Sequence, residues 1–330
     1  MIHNHPSISP PQTSSVIAPP FTLHSTLYTL EGASMTKSGI LIVDKPADWT
    51  SHDVVAKLRG ALHIKRIGHG GTLDPMATGV LPVFIGRATR ASEYCEHADK
   101  EYIAGLRLGV TTDTQDITGN TLSECEANIS AEELSSVIPN FLGAQKQLPP
   151  MYSAIKVGGK KLYELARRGV DVERPARDIF IRLIDLLGMS GNDYTLRVAC
   201  SKGTYIRTLC HDVGAALGCG GTMSSLRRTR AGSYTIDMSK TLDEILIAIS
   251  AGGIEDILIP VDSVFSEYPD VILSDAETRR CKHGTPGSAG ALRDGKYRFY
   301  GPDNEFLVFG EVIRGEIKII KGFYEGCAVQ

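Results

Sequence analysis

Hydrophobic and polar residues follow two different periods along the chain. Short apolar runs and strict alternation predict strands, whereas apolar residues three or four positions apart predict helices. Strands are predicted at 39–45, 80–85, 102–109, 179–187 and 194–200. Helices are predicted at about 52–62, 88–98, 130–141 and 161–168, and a further helix ends near 218. The two kinds of element therefore alternate over most of the chain.

The two ends of the chain depart from this pattern. Residues 1–34 are rich in Pro, Ser, Thr and His without a usable period, which predicts a disordered N-terminal extension. Met35 directly precedes the first strand-like run and is an alternative start of translation. After a main domain at 35–266, short apolar segments separated by Gly and Pro predict a small β-rich domain at 267–330. These segments lie at 271–273, 297–300, 306–312 and 317–320.

The composition narrows the class of protein. With 330 residues, of which 42% are hydrophobic, the chain can form one large core or two cores. It contains no run of about 18 apolar residues and no signal-like N-terminus, so we expect a cytoplasmic protein with no membrane partner. Nothing implies a protein partner, and we expect a monomer. Seven cysteines without C-x-x-C spacing and nine histidines without paired-ligand spacing predict no metal site.

The charge is unevenly distributed. A formal net charge of −3 does not by itself favour nucleic-acid binding, because phosphate contacts need cations. Residues 145–230, however, contain 15 Lys and Arg against 7 Asp and Glu, a net charge of +8. A basic face of this kind fits a groove for a polyanion. An ordinary charged, solvated surface is the alternative.

The stretch 68–82 holds one acidic side chain, Asp74, among glycines and other small residues. Gly70 and Gly71 can adopt backbone angles that other residues avoid, and they let a ligand approach. Because Pro75 disfavours helix at the residue before it, we expect the Asp74 carboxylate on a fixed turn. Asp74 is therefore the first candidate for chemistry, and an ordinary Asx turn is the alternative.

This stretch and several others resemble motifs of the TruB family, the tRNA pseudouridine synthases that act at position 55. From Gly68 the chain reads G-H-G-G-T-L-D-P-M-A-T-G-V-L, which contains every fixed position of the family pattern G-H-x-G-x-L-D-P-x-A-T-G-x-L. Further similar strings are G-I-L-I-V-D-K-P at 39–46, K-E-Y at 100–102, S-K-G-T-Y-I-R-T at 201–208 and L-R-R at 226–228. The resemblance implies an α+β pseudouridine synthase fold, a mixed β-sheet with flanking helices, followed by a PUA-like domain that binds RNA.

The resemblance also implies roles for individual residues. Asp74 is expected to be the catalytic residue, Tyr102 to lie in the active site and Arg207 to be the active-site arginine. Further residues expected to bind the substrate are His69, Tyr205, Leu226, Lys45 and Asp116. An RNA-binding insertion at about 146–178 contributes Lys156, Lys160 and Lys161.

For some of these residues the sequence leaves a structural role open. Lys45 can be packing support beneath the active loop, and Tyr102 can be a core tyrosine. His69 can be a loop histidine that is bonded to the backbone. The C-terminal domain can be a packing appendage without contact to RNA.

The implied reaction breaks the N1–C1′ bond of uridine and rejoins the uracil through C5 without redox change, so no cofactor is expected. Asp74 would act at the junction of sugar and base, and Arg207 would keep it ionised by lowering its pKa. Tyr102 would stack on the uracil and remove the C5 proton, which requires either a favoured phenolate or a relaying water. The expected partner is the T-arm of tRNA, from which the target base is flipped out.

Two other functions fit parts of the sequence. A non-catalytic RNA-binding or tRNA-folding protein would use the basic segment and the C-terminal domain, but it would not need Asp74, Tyr102 and Arg207 together. A carboxylate glycosidase would need a second acid, and the sequence offers no convincing one.

Overall fold

The computed structural model of the chain describes residues 38–153, 155–285 and 287–325. The predicted extension at 1–34 and the alternative start at Met35 lie outside these residues. None of the described helices is long and apolar enough to cross a membrane.

Seven α-helices lie in the described residues. In chain order they are α1 (Ser51–Leu62), α2 (Ser92–His97), α3 (Ala131–Val137), α4 (Leu162–Ala166), α5 (Ile206–Ala216), α6 (Leu242–Ser250) and α7 (Asp275–Lys282). Helix α1 follows the prediction and is capped reciprocally, because Thr50 and Asp53 each accept a hydrogen bond from the other's backbone N–H. The predicted helix at 88–98 is wrong in its first half, which forms a 3-10 turn at Gly86–Ala91. Helices α6 and α7 were not predicted.

The strands of the described residues include all five that were predicted in the main domain. In chain order they are β1 (Gly39–Lys45), β2 (Ile67–His69), β3 (Thr78–Ile85), β4 (Lys100–Leu108), β5 (Val110–Thr112), β6 (Thr121–Glu124), β7 (Gly143–Gln147), β8 (Lys156–Val157), β9 (Lys160–Lys161), β10 (Arg177–Ser190), β11 (Asp193–Cys200), β12 (Gly221–Ala231), β13 (Tyr234–Thr235), β14 (Lys240–Thr241), β15 (Asp270–Ile272), β16 (Gly295–Tyr300), β17 (Phe306–Ile313) and β18 (Glu316–Gly322).

Ten of these strands form one mixed sheet in the order β14-β1-β3-β12-β4-β11-β10-β7, with β2 on β3 and β13 on β12. β1 runs parallel to β14, and β3 runs parallel to β12, while β12, β4, β11, β10 and β7 are successively antiparallel. The unpredicted β12 therefore joins the two halves of the sheet. The mixed sheet with flanking helices confirms the predicted α+β fold.

Two cores flank the region where the sheet halves meet. One is formed by β4, β10, β11 and β12 with α3 and α5. The other is formed by β1 and β3 with α1 and α6. The loop 70–77 joins β2 to β3 and touches both, because Leu73 belongs to the first core and its N–H donates to the Ser51 hydroxyl of α1 at 2.9 Å. This loop is therefore held from two sides.

The C-terminal segment forms a four-stranded sheet, β15-β16-β17-β18, on the four predicted segments. The sheet packs directly on the main domain. Phe309 of β17 stacks on Phe265 with 4.2 Å between ring centroids, and Tyr94 of α2 contacts both rings edge-on. These aromatic rings share one core cluster with Ile40 of β1. The shared core favours a fixed position of the C-terminal sheet relative to the main sheet.

Candidate active site

Asp74 stands at the start of a tight backbone turn. The N–H of Ala77 donates to the carbonyl oxygen of Asp74 at 3.1 Å, and Pro75 occupies the second position of this turn. Gly71, three residues earlier, has a φ of 115°, a conformation that favours glycine. The sequence prediction that the carboxylate sits on a fixed turn is confirmed, and its physical basis is the local Gly and Pro chemistry.

Arg207 reaches Asp74 from the first turn of α5. Its Nε lies 3.0 Å from Oδ2 of Asp74, and its Nη2 donates to Oδ1 at 3.2 Å, so the guanidinium holds the carboxylate at two points. The same guanidinium donates to the carbonyl oxygens of Tyr152 at 2.9 Å and Thr114 at 3.3 Å. Arg207 therefore connects the Asp74 turn to the turn between β5 and β6 and to the insertion.

Lys45 lies beneath the loop with no exposed surface. Its Nζ donates to three backbone carbonyl oxygens, at 2.8, 2.6 and 3.0 Å, which belong to Pro46, Trp49 and Pro75. Burial lowers the pKa of Lys45 to about 8, although the charge of Asp74 opposes the shift. These contacts favour packing support as the role of Lys45 over contact with the substrate.

An apolar wall stands beside the carboxylate. Tyr102 on β4 and Leu226 on β12 lie on the same face of the sheet and belong to the core cluster that also contains Leu73 of the loop. Tyr102 is 9% exposed and Leu226 is 8% exposed, so each presents only a small surface to a ligand. An aromatic ring and a leucine next to a carboxylate can hold the flat face of a pyrimidine while its sugar meets the acid.

Burial raises the pKa of Asp74 above its ordinary value, and the neighbouring Asp116 adds to the rise. Arg207 opposes the rise through its charge and its hydrogen bond. The expected lowering by Arg207 is therefore present, but the expected net direction is wrong because burial outweighs it. The Asp74 side chain is 35% exposed, against 5% for Arg207, so a ligand can reach the carboxylate while the guanidinium is buried.

Burial also raises the pKa of Tyr102, to about 12, and the charge of Asp74 adds to this shift. Arg228 opposes it through its charge and a hydrogen bond. The condition that the pocket favours a Tyr102 phenolate is therefore not met. Of the two routes considered for a Tyr102 base, this leaves a relay, in which the neutral hydroxyl takes the C5 proton while it passes its own proton to a water.

Comparison with known proteins decides the family. Residues 59–206 match the model of the TruB family pseudouridylate synthase N-terminal domain, and residues 207–266 match that of the tRNA pseudouridylate synthase B C-terminal domain. The chain is 41% identical to tRNA pseudouridine synthase B of Alkaliphilus oremlandii over 300 residues, which cover 87% of this chain and 99% of that protein. It is 47% identical to the protein of the same name from Dechloromonas aromatica, over 79% of this chain and 87% of that protein.

The chain belongs to the TruB family of pseudouridylate synthases. It is therefore an enzyme of the isomerase class. A solved Cbf5–Nop10–Gar1 complex contains a chain of the same fold, with a TM-score of 0.66 and 27% identity over 87% of this chain and 85% of that one. The pseudouridine synthase fold expected from the sequence motifs is thereby confirmed.

Asp116 supports the TruB-type site from behind Arg207. Its Oδ2 lies 3.8 Å from Nε of Arg207. Its Oδ1 accepts hydrogen bonds from the Thr118 N–H at 3.0 Å and the Thr114 hydroxyl at 2.9 Å. Because Asp116 is only 5% exposed, the structure favours a supporting role over contact with the substrate.

His69 and Tyr205 lie at element ends next to the loop and to α5. Nδ1 of His69 is buried and has no hydrogen-bond partner among the described residues, and burial lowers the pKa of this histidine, so its neutral form is favoured. The backbone of Tyr205 exchanges two hydrogen bonds with the Gln147 side chain, at 2.8 and 3.0 Å. This exchange fixes the start of α5, and with it Arg207, against the edge strand β7.

Part of the predicted basic insertion forms a small β-hairpin. Strands β8 and β9 are joined by Gly158-Gly159, and the backbone of Lys156 lies opposite that of Lys161 in the antiparallel register. Lys160 is exposed. The helix predicted after the hairpin is confirmed as α4. The hairpin follows Tyr152, whose carbonyl oxygen binds Arg207, so it begins at the active site.

Sequence reasoning missed one large side chain at this site. Arg228 of β12 is 1% exposed and is among the largest fully buried side chains. Its guanidinium donates to the carbonyl oxygens of Val80 at 2.7 Å, Gly71 at 3.1 Å and Thr72 at 3.4 Å. The available signal was its place in the L-R-R string, in which only Leu226 was given a role.

Proposed function

We propose that the protein isomerises the uridine at position 55, in the T-loop of tRNA, to pseudouridine. The observation that carries the proposal is the two-point pair of Asp74 with Arg207 beside the Tyr102 and Leu226 wall. It is supported by the relatives named tRNA pseudouridine synthase B.

In the proposed reaction the N1–C1′ bond of the flipped uridine breaks, the uracil turns within the pocket, and C5 bonds to C1′. The proton lost from C5 is balanced by the proton gained at N1, so substrate and product are isomers and no cofactor is required. The Asp74 carboxylate acts at the sugar–base junction. Arg207 orients it, and the wall of Tyr102 and Leu226 retains the detached base.

The proposed RNA partner is bound mainly outside this pocket. The insertion at about 146–178, with Lys156, Lys160 and Lys161, would contact the T-arm, and extruding the target base costs roughly a few kcal/mol. We further propose that residues 35–266 act as the catalytic domain and 267–330 as a PUA-like RNA-binding domain, in a cytoplasmic monomer. His69, at the end of β2, would stack on the flipped nucleotide or fill the space it leaves.

The test uses tRNA transcripts that carry tritium at C5 of every uridine. Each conversion releases one label to water, because C5 exchanges its hydrogen for the bond to C1′. We expect release of one equivalent per transcript and none from a matched transcript with cytidine at position 55. Release from the cytidine-55 transcript would contradict the position, and no release from either would contradict the activity.

A further inference from the structure

Arg228 is a buried cation whose partners are backbone oxygens. Within the described residues no carboxylate forms an ion pair with it, and its guanidinium is bound by carbonyl oxygens of β3 and of the loop before Asp74. A buried charge is costly unless it is well hydrogen-bonded. If the carbonyl oxygens of Gly71 and Thr72 moved away, the buried charge of Arg228 would lose hydrogen-bond partners, which is energetically costly.

A second buried cation holds the other side of the same turn. Lys45 binds the carbonyl oxygen of Pro75, directly after Asp74, whereas Arg228 binds the carbonyls two and three residues before it. The backbone on both sides of the catalytic carboxylate is thus anchored by a cation that has almost no exposed surface.

Arg228 also faces the second catalytic candidate. In the sheet register Arg228 of β12 lies opposite Tyr102 of β4. The guanidinium lies near enough to the Tyr102 side chain to work against the rise in the pKa of that phenol. One side chain therefore binds the backbone that carries Asp74 and acts on Tyr102, which lies opposite it in the sheet.

The backbone of Arg228 is closely packed against Gly79 of β3. A Cβ built on Gly79 of β3 would lie 2.2 Å from the Arg228 carbonyl oxygen, and Gly79 has a φ of 99°. Only glycine allows β3 and β12 to approach this closely in that conformation. The position of the Arg228 guanidinium is thus set by the meeting of the two sheet halves.

We propose that Arg228 is a positioning residue of the isomerase site, which fixes the Asp74 turn and the Tyr102 hydroxyl in one geometry. This inference rests on the proposed function. Arg228 acts through Asp74 and Tyr102 and need not touch the RNA. Its loss should therefore slow the chemical step and leave RNA binding unchanged.

The experiment compares Arg228→Lys, Arg228→Gln and the control Arg227→Gln. Arg227 precedes Arg228 on the same strand, but its 42% exposed side chain pairs with Asp44 of β1. For each folded protein, the single-turnover rate at saturating tRNA, the RNA dissociation constant and the melting temperature are measured. Arg228→Lys keeps the positive charge but loses the planar guanidinium. It therefore provides a second test if the Arg228→Gln protein does not fold.

We expect Arg228→Gln to lower the single-turnover rate by about 100-fold, the loss that a small misplacement of reacting groups produces. Arg228→Lys should recover part of that rate, and the dissociation constants of both should match that of the wild type. Arg227→Gln should retain the wild-type rate.

A folded Arg228→Lys or Arg228→Gln protein with the wild-type rate would overturn the inference while leaving the proposed function intact. So would a loss that appears only as weaker RNA binding, since a positioning residue acts on the rate. An inactive wild-type protein would overturn the proposed function and this inference together.

Discussion

Arg207 and Asp74 are 133 residues apart in the chain, yet their side chains form a two-point ion pair at 3.0 and 3.2 Å. The pair closes only when α5 and the loop before β3 are docked on the same sheet. Because Arg207 is buried and the Asp74 side chain is partly exposed, the pair presents the carboxylate to a ligand in one orientation. The Asp74 carboxylate is therefore oriented by the packing of distant segments.

Arg207→Lys should reduce turnover more than affinity. Lysine keeps the positive charge, but it cannot hold both oxygens of Asp74 and the carbonyl oxygen of Tyr152 at once. We expect the single-turnover rate to fall by about 100-fold or more, with the RNA dissociation constant unchanged. A drop in affinity that matches the drop in rate would show that Arg207 binds RNA directly.

The pH dependence of turnover should have an acid limb set by Asp74. In the proposed reaction its carboxylate form is the active one, and its pKa is raised, so we expect activity to be lost as the pH falls through a value above the ordinary aspartate pKa. Asp116→Asn removes a neighbouring negative charge and keeps the hydrogen-bonding oxygen. We therefore expect the pKa of Asp74 to fall and the acid limb to move to lower pH.

The control for this shift is Asp113→Asn in the same turn, because Asp113 pairs with the Asn120 backbone and side chain and is not among the main causes of the shift in the Asp74 pKa. Its acid limb should coincide with that of the wild type. If the acid limb of the Asp116→Asn activity profile lies at the same pH as in the wild type, or at higher pH, the assignment of this limb to Asp74 is contradicted.

Tyr102→Phe should bind and flip the uridine but release the C5 hydrogen slowly. Phenylalanine keeps the aromatic ring in the core cluster with Leu226 and removes the hydroxyl. Because the pKa of Tyr102 is raised to about 12, the neutral hydroxyl is the form present, and its loss removes the group that relays the proton. Tritium release from C5 at the wild-type rate would show that Tyr102 serves only as a stacking surface.

Charge reversal on the β8–β9 hairpin should weaken RNA binding. Lys160→Glu with Lys161→Glu is expected to lower affinity and to flatten its salt dependence, by about 0.7–0.9 in log–log slope for each lost phosphate contact. The charge-matched control is Lys57→Glu with Lys65→Glu, two exposed lysines on and just after α1. Equal slopes for the two double variants would place the RNA away from the hairpin.

The catalytic turn was predictable from sequence because its determinants are local. Within a few residues of Asp74, Gly71 allows a positive φ and Pro75 restricts φ to one region, and both effects are the same in any fold. Helix α6 was predictable by the same logic, since Thr241 and Glu244 form a capping box before an apolar run. That signal was present and was overlooked.

Strand β12 and the burial of Arg228 were not predictable in this way. The string S-S-L-R-R-T-R looks like a solvated surface, and it becomes a central strand only because β3 and β4 pair with it on both sides. The raised pKa of Asp74 has the same origin. Arg207 could be assigned from its motif, but the burial that outweighs it is set by distant segments packing together.

The most direct test of the account is a single-turnover reaction of the Asp74→Asn variant on the tritium-labelled transcript. Asparagine is close to the shape of aspartate but carries no charge, so the folded variant should bind tRNA as tightly as the wild type. We expect no tritium release, and Asp74→Ala, which cannot revert by deamidation, should behave the same way. Release from RNA-bound Asp74→Ala above background would contradict the central claim that this carboxylate performs the reaction.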